Sequence, residues 1–317
     1  MNRVIEPQTT YIIYCIVVTY NRKDLLLECL NAIYSQTYPA NKIILINNAS
    51  TDGTEEALKE SGYFEKENFD YHLMQKNLGC SGGFYEGINI ARDNADWIWI
   101  MDDDTIPAPD ALENLVNAVN LVHEDVSFFA SCVYGPEGQP MNVPGIDSRP
   151  TDNGYSDWYK DLSLGLVKIR AATFVSILLN SKAIHKCGLP CRDYFIWGDD
   201  TEYTLRFTTH YGSAYLVGKS EVCHKRALTR ALSIMAETDK SRVKNYFYLY
   251  RNSFVNDVIY FGKRLSVRNF VKDIIRTRHF LHGPLGFMKF MTVLRGTISG
   301  WLHWRKFDSF IKSQLQE

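Results

Sequence analysis

The chain has 317 residues, 45% of them hydrophobic and 13% aromatic, which is ample material for a sizeable core in one large domain or two and excludes a disordered protein. The formal net charge of -1 hides an asymmetry: from Lys225 onward 18 Lys and Arg stand against 6 Asp and Glu, and before it 17 stand against 30. An acidic front half argues against nucleic acid as the main ligand, whereas a basic, aromatic tail suits either an anionic surface such as phospholipid headgroups or a solvated helical face.

Tyr11 to Thr19 is an apolar, β-branched run of strand length, and the segment from Asp24 to Gln36 repeats apolar residues at helical spacing. The same strand-then-helix unit recurs in Lys42–Asn47 before Asp52–Ser61, Tyr71–Gln75 before Ser81–Asp93, and Asp96–Met101 before Pro107–Val122. Four such units in a row predict a doubly wound, mostly parallel sheet flanked by helices. Residues 134–168 are rich in Gly, Pro, Asp and Ser and read as an insertion crossing the mouth of a site. Ala171–Leu179 reads as a further buried strand, Ser181–Cys187 as a short helix, and the chain beyond about Arg226 as predominantly helical.

The seven cysteines are odd in number and lie mostly in apolar runs, as buried reduced thiols do; Cys187, Cys191 and the Cys223-His224 pair match no standard zinc spacing. Met1 to Thr10 is polar, and the apolar run that follows is too short for a secretory signal. No window reaches the roughly 18 apolar residues of a spanning helix. The expected location is the cytoplasm, with membrane contact from the periphery.

Asp102, Asp103 and Asp104 follow directly on the hydrophobic strand Trp97–Met101. Three adjacent carboxylates repel one another, so they call for a counter-charge, and a hard cation such as Mg²⁺ or Mn²⁺ takes oxygen ligands and bridges carboxylates to a diphosphate. Capping of a following helix needs one acidic residue, not three. Asp199 and Asp200, after Trp197 and Gly198, open a helix whose dipole holds a carboxylate ionised, as a general base requires, and an indole beside them suits a sugar ring. His224 ends a strand-like run and is a candidate to complete a metal site begun by Asp102 and Asp104. The first strand is followed by Thr19-Tyr20-Asn21-Arg22 and not by a glycine-rich turn, which removes the pyrophosphate cradle of a dinucleotide-dependent oxidoreductase.

These motifs together resemble the family 2 glycosyltransferases of the GT-A fold over about residues 12–225: Ile16 to Arg22, Asn47 to Thr54, Asn77 to Gly79 and the three aspartates fall in the family's order and spacing. Trp197 to Arg206 is similar to the acidic motif of the galactofuranosyltransferase branch, and Tyr248 to Ser253 to a stretch found there and in rhamnosyltransferase relatives. The resemblance implies a catalytic domain over residues 1–225, with nucleotide-sugar binding in 11–133 and acceptor binding in 134–225, followed by a helical basic region over 226–317. It implies that Thr19, Tyr20, Asn21, Arg22, Asn47, Asn77 and Gly79 meet the donor, with Asp103 facing its ribose or sugar. Asp102, Asp104 and His224 would hold Mn²⁺ or Mg²⁺ with the donor diphosphate, Asp200 would be the general base, and Trp197 and Asp199 would bind the acceptor. The family commonly has Asp where this chain has Asn47, which changes the hydrogen bonds offered to the nucleotide base.

The expected activity is inverting transfer of a hexose, galactofuranose from its UDP donor, to a hydroxyl of a lipid-linked bacterial surface glycan. The alternatives are a rhamnosyltransferase using dTDP-rhamnose and a non-catalytic nucleotide-sugar-binding protein. Gly283 to Phe307 mixes large apolar residues with Lys and Arg, as does a helix lying on an anionic membrane, a helix packing on the catalytic domain, or an oligomer contact.

Overall fold

A computed structural model of the chain describes residues 10–226, 229–278, 281 and 283–315. Most of the segment read as too polar for a secretory signal lies outside these residues. The described chain opens with strand β1 (Ile13–Thr19), helix α1 (Lys23–Tyr34), β2 (Lys42–Asn47), α2 (Thr54–Glu60), β3 (Phe69–Leu73), α3 (Gly79–Ala91) and β4 (Trp97–Asp102). β1 pairs in parallel with β2 and β4, and β2 in parallel with β3, as the recurrent units require. β1, β2 and β4 are buried on both faces, which is why they read as nearly unbroken apolar runs, while β3 at the sheet edge is only half-buried. On β1, Cys15 and Val17 pack with Leu26, Leu30 and Ile33 of α1, while Ile16 and Val18 pack on the opposite face with Phe84 and Ile88 of α3.

Register aligns the carboxyl ends of these strands: Thr19 lies opposite Asn47, and Val18 opposite Asp102. Beyond β4 come β5 (Thr105–Pro107), α4 (Ala111–Leu121), β6 (Val126–Tyr134), β7 (Gly145–Ile146), β8 (Leu166–Ala171), β9 (Ile177–Asn180), α5 (Ser181–Cys187), α6 (Asp199–His210) and β10 (Ser213–His224). The sheet order is β3-β2-β1-β4-β9-β6-β10-β8-β7, with β5 on β10, so the parallel block meets a mixed half in which β9 runs antiparallel to both β4 and β6.

Two readings of the sequence are corrected. Ala171–Leu179 is not one strand: β8 pairs with β10, and the chain then bends through Ser176, at φ 59°, to re-enter as β9 between β4 and β6. The Ser176 hydroxyl accepts from Trp99 Nε1 at 2.9 Å and bonds Ser131 Oγ at 2.6 Å, which fixes the bend inside the core. The helix expected from Pro107 begins only at Ala111, because Thr105–Pro107 adds to β10 as a short antiparallel strand.

The C-terminal part folds as α7 (Lys240–Asn256), a π-helical turn (Asp257–Phe261), α8 (Lys263–Arg278) and α9 (Gly286–Gln314). α9 packs on α7 through small residues: a Cβ at Gly296 would lie 2.7 Å from Phe247 O, and one at Gly300 2.8 Å from Arg251 O. One face of the Gly283–Phe307 segment is therefore a packing face. Phe287, Trp301 and Leu302 on its other side remain exposed.

Candidate active site

A cleft of about 450 Å³ opens at the carboxyl ends of β1 and β4, the place where an open α/β sheet offers its loops. Its wall includes Thr19, Tyr20, Arg22, Asn77, Gly79, all three aspartates of 102–104, and His224, and on the other side Trp197, Asp199 and Asp200. The two acidic groups, about a hundred residues apart in sequence, thus face one space. The thiol of Cys80 lies between them, pushed well up by burial and by the charges of Asp102, Asp199 and Asp200 together.

His224 reaches the aspartates through β-sheet register. A bulge in β10 between Val217 and Glu221 lets the first half of that strand pair with β8 and the second with β5, and it sets His224 opposite Thr105. His224 Nε2 then stands 3.1 Å from Asp104 Oδ1, and its Nδ1 lies 2.9 Å from Asn142 Oδ1. With the carbonyl of Asn142 accepting from Nδ1–H, Nε2 keeps its lone pair on the aspartate side.

Asp102, Asp104 and His224 offer ligand atoms that all lie within 4.8 Å of one another. Asp104 Oδ1 is buried and, with His224 in the neutral form that turns its lone pair inward, has no hydrogen-bond donor, an arrangement that costs free energy unless a cation takes the oxygen. Two carboxylates and one imidazole are a donor set suited to a divalent cation such as Mn²⁺ or Mg²⁺, and they form the one such cluster among the described residues.

Burial and repulsion from Asp104 push the carboxyl of Asp102 up to about 6. Burial pushes Asp103 up to about 7. Asp104 moves the other way: burial opposes its ionisation, but the hydrogen bond and charge that His224 supplies when protonated, together with the charge of Arg22, outweigh it and hold the carboxyl below its ordinary value. Arg22 Nη1 donates to Asp104 Oδ2 at 2.6 Å and to Asp103 Oδ1 at 3.3 Å. Asp103 Oδ2 accepts from Thr19 Oγ1 at 2.8 Å and from the Tyr20 amide at 3.3 Å. Asp103 therefore lines the cleft with its oxygens already engaged in shaping the Thr19–Arg22 loop.

Two expected donor residues fall outside the wall. Asn47 is 2% exposed and donates to Tyr71 OH while accepting from the Ser50 amide; Asn21 accepts from the Thr51 amide. Both tie the neighbouring loops to each other, and Asn48 lines the cleft instead, clasping Leu78 N and Gly79 O with the two ends of its amide. Gly79 sits at φ 73°, and a Cβ there would lie 2.0 Å from Phe195 O, so no other residue fits.

Asp199 and Asp200 begin α6. Burial first, then repulsion from Asp200, raises Asp199 well above the usual carboxylate range, and burial raises Asp200. Asp199 Oδ2 is buried without a partner, whereas Asp200 Oδ1 accepts from the Thr201 amide at 2.6 Å. Trp197 packs on Tyr246 of α7 with ring centroids 5.1 Å apart. The sequence reading missed Asn48, Asn142 and Cys80, and the contribution of Arg226, Leu232, Arg242 and Asn245 from the C-terminal part.

A parallel first half, a mixed second half and an acidic turn at the end of the fourth strand define a GT-A glycosyltransferase fold. The solved structure of GalNAc-T7 with UDP, GalNAc and Mn²⁺ superposes with a TM-score of 0.57 at 14% identity, covering 96% of this chain and 58% of that one. The family described as Glycosyl transferase family 2 matches residues 14–161 of this chain.

Among curated relatives, the galactofuranosyltransferase GlfT1 of Mycolicibacterium smegmatis is 26% identical over 202 residues, 62% of this chain and 65% of the relative. The abequosyltransferase RfbV of Salmonella typhimurium is 36% identical over 105 residues, 31% of this chain and 29% of the relative. The chain thus spans about two thirds of the first relative's length and under a third of the second's.

Proposed function

We propose that the chain is an inverting, metal-dependent hexosyltransferase that moves galactofuranose from UDP-galactofuranose to a hydroxyl of a lipid-linked bacterial glycan. The observation that carries this reading is the single cleft into which the Asp102–Asp104 and Asp199–Asp200 groups both open. The branch assignment and the donor rest on the fuller alignment with GlfT1 and on the Trp197–Arg206 motif.

A divalent cation held by Asp102, Asp104 and His224 would supply charge stabilisation for the diphosphate as it departs. Thr19, Tyr20, Arg22, Asn77 and Gly79 hold the donor along the floor of the cleft. Trp197 offers its face to the acceptor sugar, and Asp199 accepts a hydrogen bond from one of its hydroxyls. Asp200 takes the proton of the attacking hydroxyl as its oxygen bonds to the anomeric carbon. The bond from that carbon to the phosphate oxygen breaks on the opposite face, and the anomer inverts. Burial makes the Asp199–Asp200 pair more basic than a free aspartate, which favours proton removal in the transition state. Holding both substrates in one cleft removes much of the entropic barrier.

No helix among the described residues is long and apolar enough to cross a membrane. Peripheral attachment to the cytoplasmic face is favoured by α8, where Val267, Val271 and Ile275 lie exposed one turn above another beside the exposed Arg264, Arg268 and Lys272. The deciding experiment is a donor panel with Mn²⁺ containing UDP-galactofuranose, UDP-galactopyranose, UDP-GlcNAc and dTDP-rhamnose, scored by release of nucleotide diphosphate. Preferential turnover of UDP-galactofuranose is expected. Preference for dTDP-rhamnose would replace the donor, and no turnover of any donor would leave only a binding protein.

A further inference from the structure

The stretch Tyr248–Ser253 on α7 has no task in the reaction as proposed, yet its side chains reach the loop that presents the acidic pair. Asn252 is fully buried, and its Nδ2 lies 3.0 Å from Tyr194 O, 3.1 Å from Ile196 O and 2.7 Å from Trp197 O. One turn on, Asn256 Nδ2 donates to Gly198 O at 2.8 Å and Asn256 Oδ1 accepts from Tyr194 OH at 2.7 Å. Arg251 Nη2 donates to Asp193 O at 2.6 Å and to Tyr194 O at 3.0 Å. The one carbonyl in this run that α7 does not reach, Phe195 O, accepts from the Ser81 amide at 3.3 Å. Every backbone carbonyl from Asp193 to Gly198 is thus held from outside its own segment.

The segment so held is one that would not keep its shape unaided. Phe195 at φ 66° and Trp197 at φ 59° are bulky residues in the left-handed region, followed by Gly198 at φ 93°. Such conformations persist only where surrounding contacts over-determine them, and they gather at functional sites. The strained turn ends at Asp199, the first residue of α6, and exposes Phe195, Ile196 and Trp197 to the cleft.

We infer that Asn252 is a positioning residue which, with Asn256 and Arg251, holds the Asp193–Gly198 turn in its strained form and so fixes where Trp197, Asp199 and Asp200 stand. The inference rests on the proposed roles of that group. It makes α7 part of the catalytic unit, so the helical region after residue 225 is more than a membrane tail.

The test uses the full chain and two readouts: amide hydrogen exchange of peptides spanning 194–203 and 99–106, and UDP release with Mn²⁺, UDP-galactofuranose and an octyl galactofuranoside as acceptor. Asn252→Ala is expected to raise exchange in the first peptide about tenfold or more while the second changes less than about twofold. It is expected to lower kcat about 100-fold with the Kd of UDP–Mn²⁺ kept within about threefold, since an ångström of misplacement costs that much. Unchanged exchange, or loosened exchange with unchanged kcat, overturns the inference. If circular dichroism finds Asn252→Ala unfolded, Asn256→Ala, which frees only Gly198 O and Tyr194 OH, is judged by the same two results with an expected fall of about tenfold. Exchange that responds as expected while the wild-type chain releases no UDP from any donor upholds the clamp and overturns the proposed reaction instead.

Discussion

Replacing Glu202 by Gln tests whether the helix that carries Asp199 and Asp200 is anchored by a buried ion pair. Glu202 and Arg206, one turn apart on α6, are 1% and 0% exposed. Arg206 Nε donates to Glu202 Oε1 at 2.9 Å and Nη2 to Oε2 at 2.5 Å, Tyr260 OH donates to Oε1 at 2.8 Å, and Arg206 Nη1 donates to Cys187 O and Leu189 O. The Gln variant keeps the volume but leaves a guanidinium in the core with no counter-ion, a change that costs about 3–5 kcal/mol when one partner of a buried pair is removed.

Gln still accepts one hydrogen bond and the two carbonyls remain, so the lower end applies: about 3 kcal/mol, or a fall in Tm of roughly 4–5 °C for a chain of 317 residues. Thermal unfolding followed by circular dichroism and calorimetry measures it. Glu202→Met with Arg206→Leu is expected to recover about half the loss, since apolar side chains of similar volume replace the charges but leave two carbonyls unpaired. A fall of less than about 1 °C in the single variant would refute the argument, because a charge that reaches water on losing its partner was never buried.

Asp104→Ala removes the buried oxygen that faces His224, and Mn²⁺-dependent UDP binding measured by calorimetry is expected to weaken at least about 100-fold; an unchanged Kd would remove Asp104 from the ligand set. Metal binding is expected to weaken on acidification, because the carboxyl of Asp102 sits near 6 and a proton competes with the cation below that value. The sign follows from the direction of the shift. The fold penalises the ionised form of Asp102, so lowering the pH through 6 relieves the metal-free chain while depriving the cation of a ligand. The rise in Tm on adding Mn²⁺ should therefore shrink from pH 7 to pH 5, and a growing rise would contradict it. Flotation with liposomes containing anionic lipid is expected to carry the chain, and Val271→Glu with Ile275→Glu to release it; no co-migration of the wild type would remove the membrane from the account.

Much of the fold was legible because β1, β2 and β4 are buried on both faces. Runs such as Ile13–Val18 and Trp97–Met101 carry their own signal, and the acidic turns stand at their ends. The single strand expected over Ala171–Leu179 was misread because apolar content continues through Phe174 and Val175, which are buried in the bend and carry no turn signature. His224 was legible as a candidate, but what puts it beside Asp104 is the β10 bulge, which no local pattern announces. Asn48, Asn142 and Asn252 escaped notice for a common reason. Each acts through a side-chain amide on a partner 30 or more residues away, His224 being 82 residues from Asn142 and Tyr194 58 from Asn252. Asn47 stands outside the cleft wall, whereas its neighbour Asn48, just past the end of β2, lines it.

The proposed chemistry divides one cleft between a site that binds the donor and a carboxylate that activates the acceptor. Asp200→Asn separates the two most directly when UDP–Mn²⁺ binding and galactofuranose transfer are measured on the same preparation. The account predicts transfer reduced at least about 100-fold with the Kd of UDP–Mn²⁺ within about threefold of wild type. Transfer at the wild-type rate by the Asp200→Asn variant would contradict it.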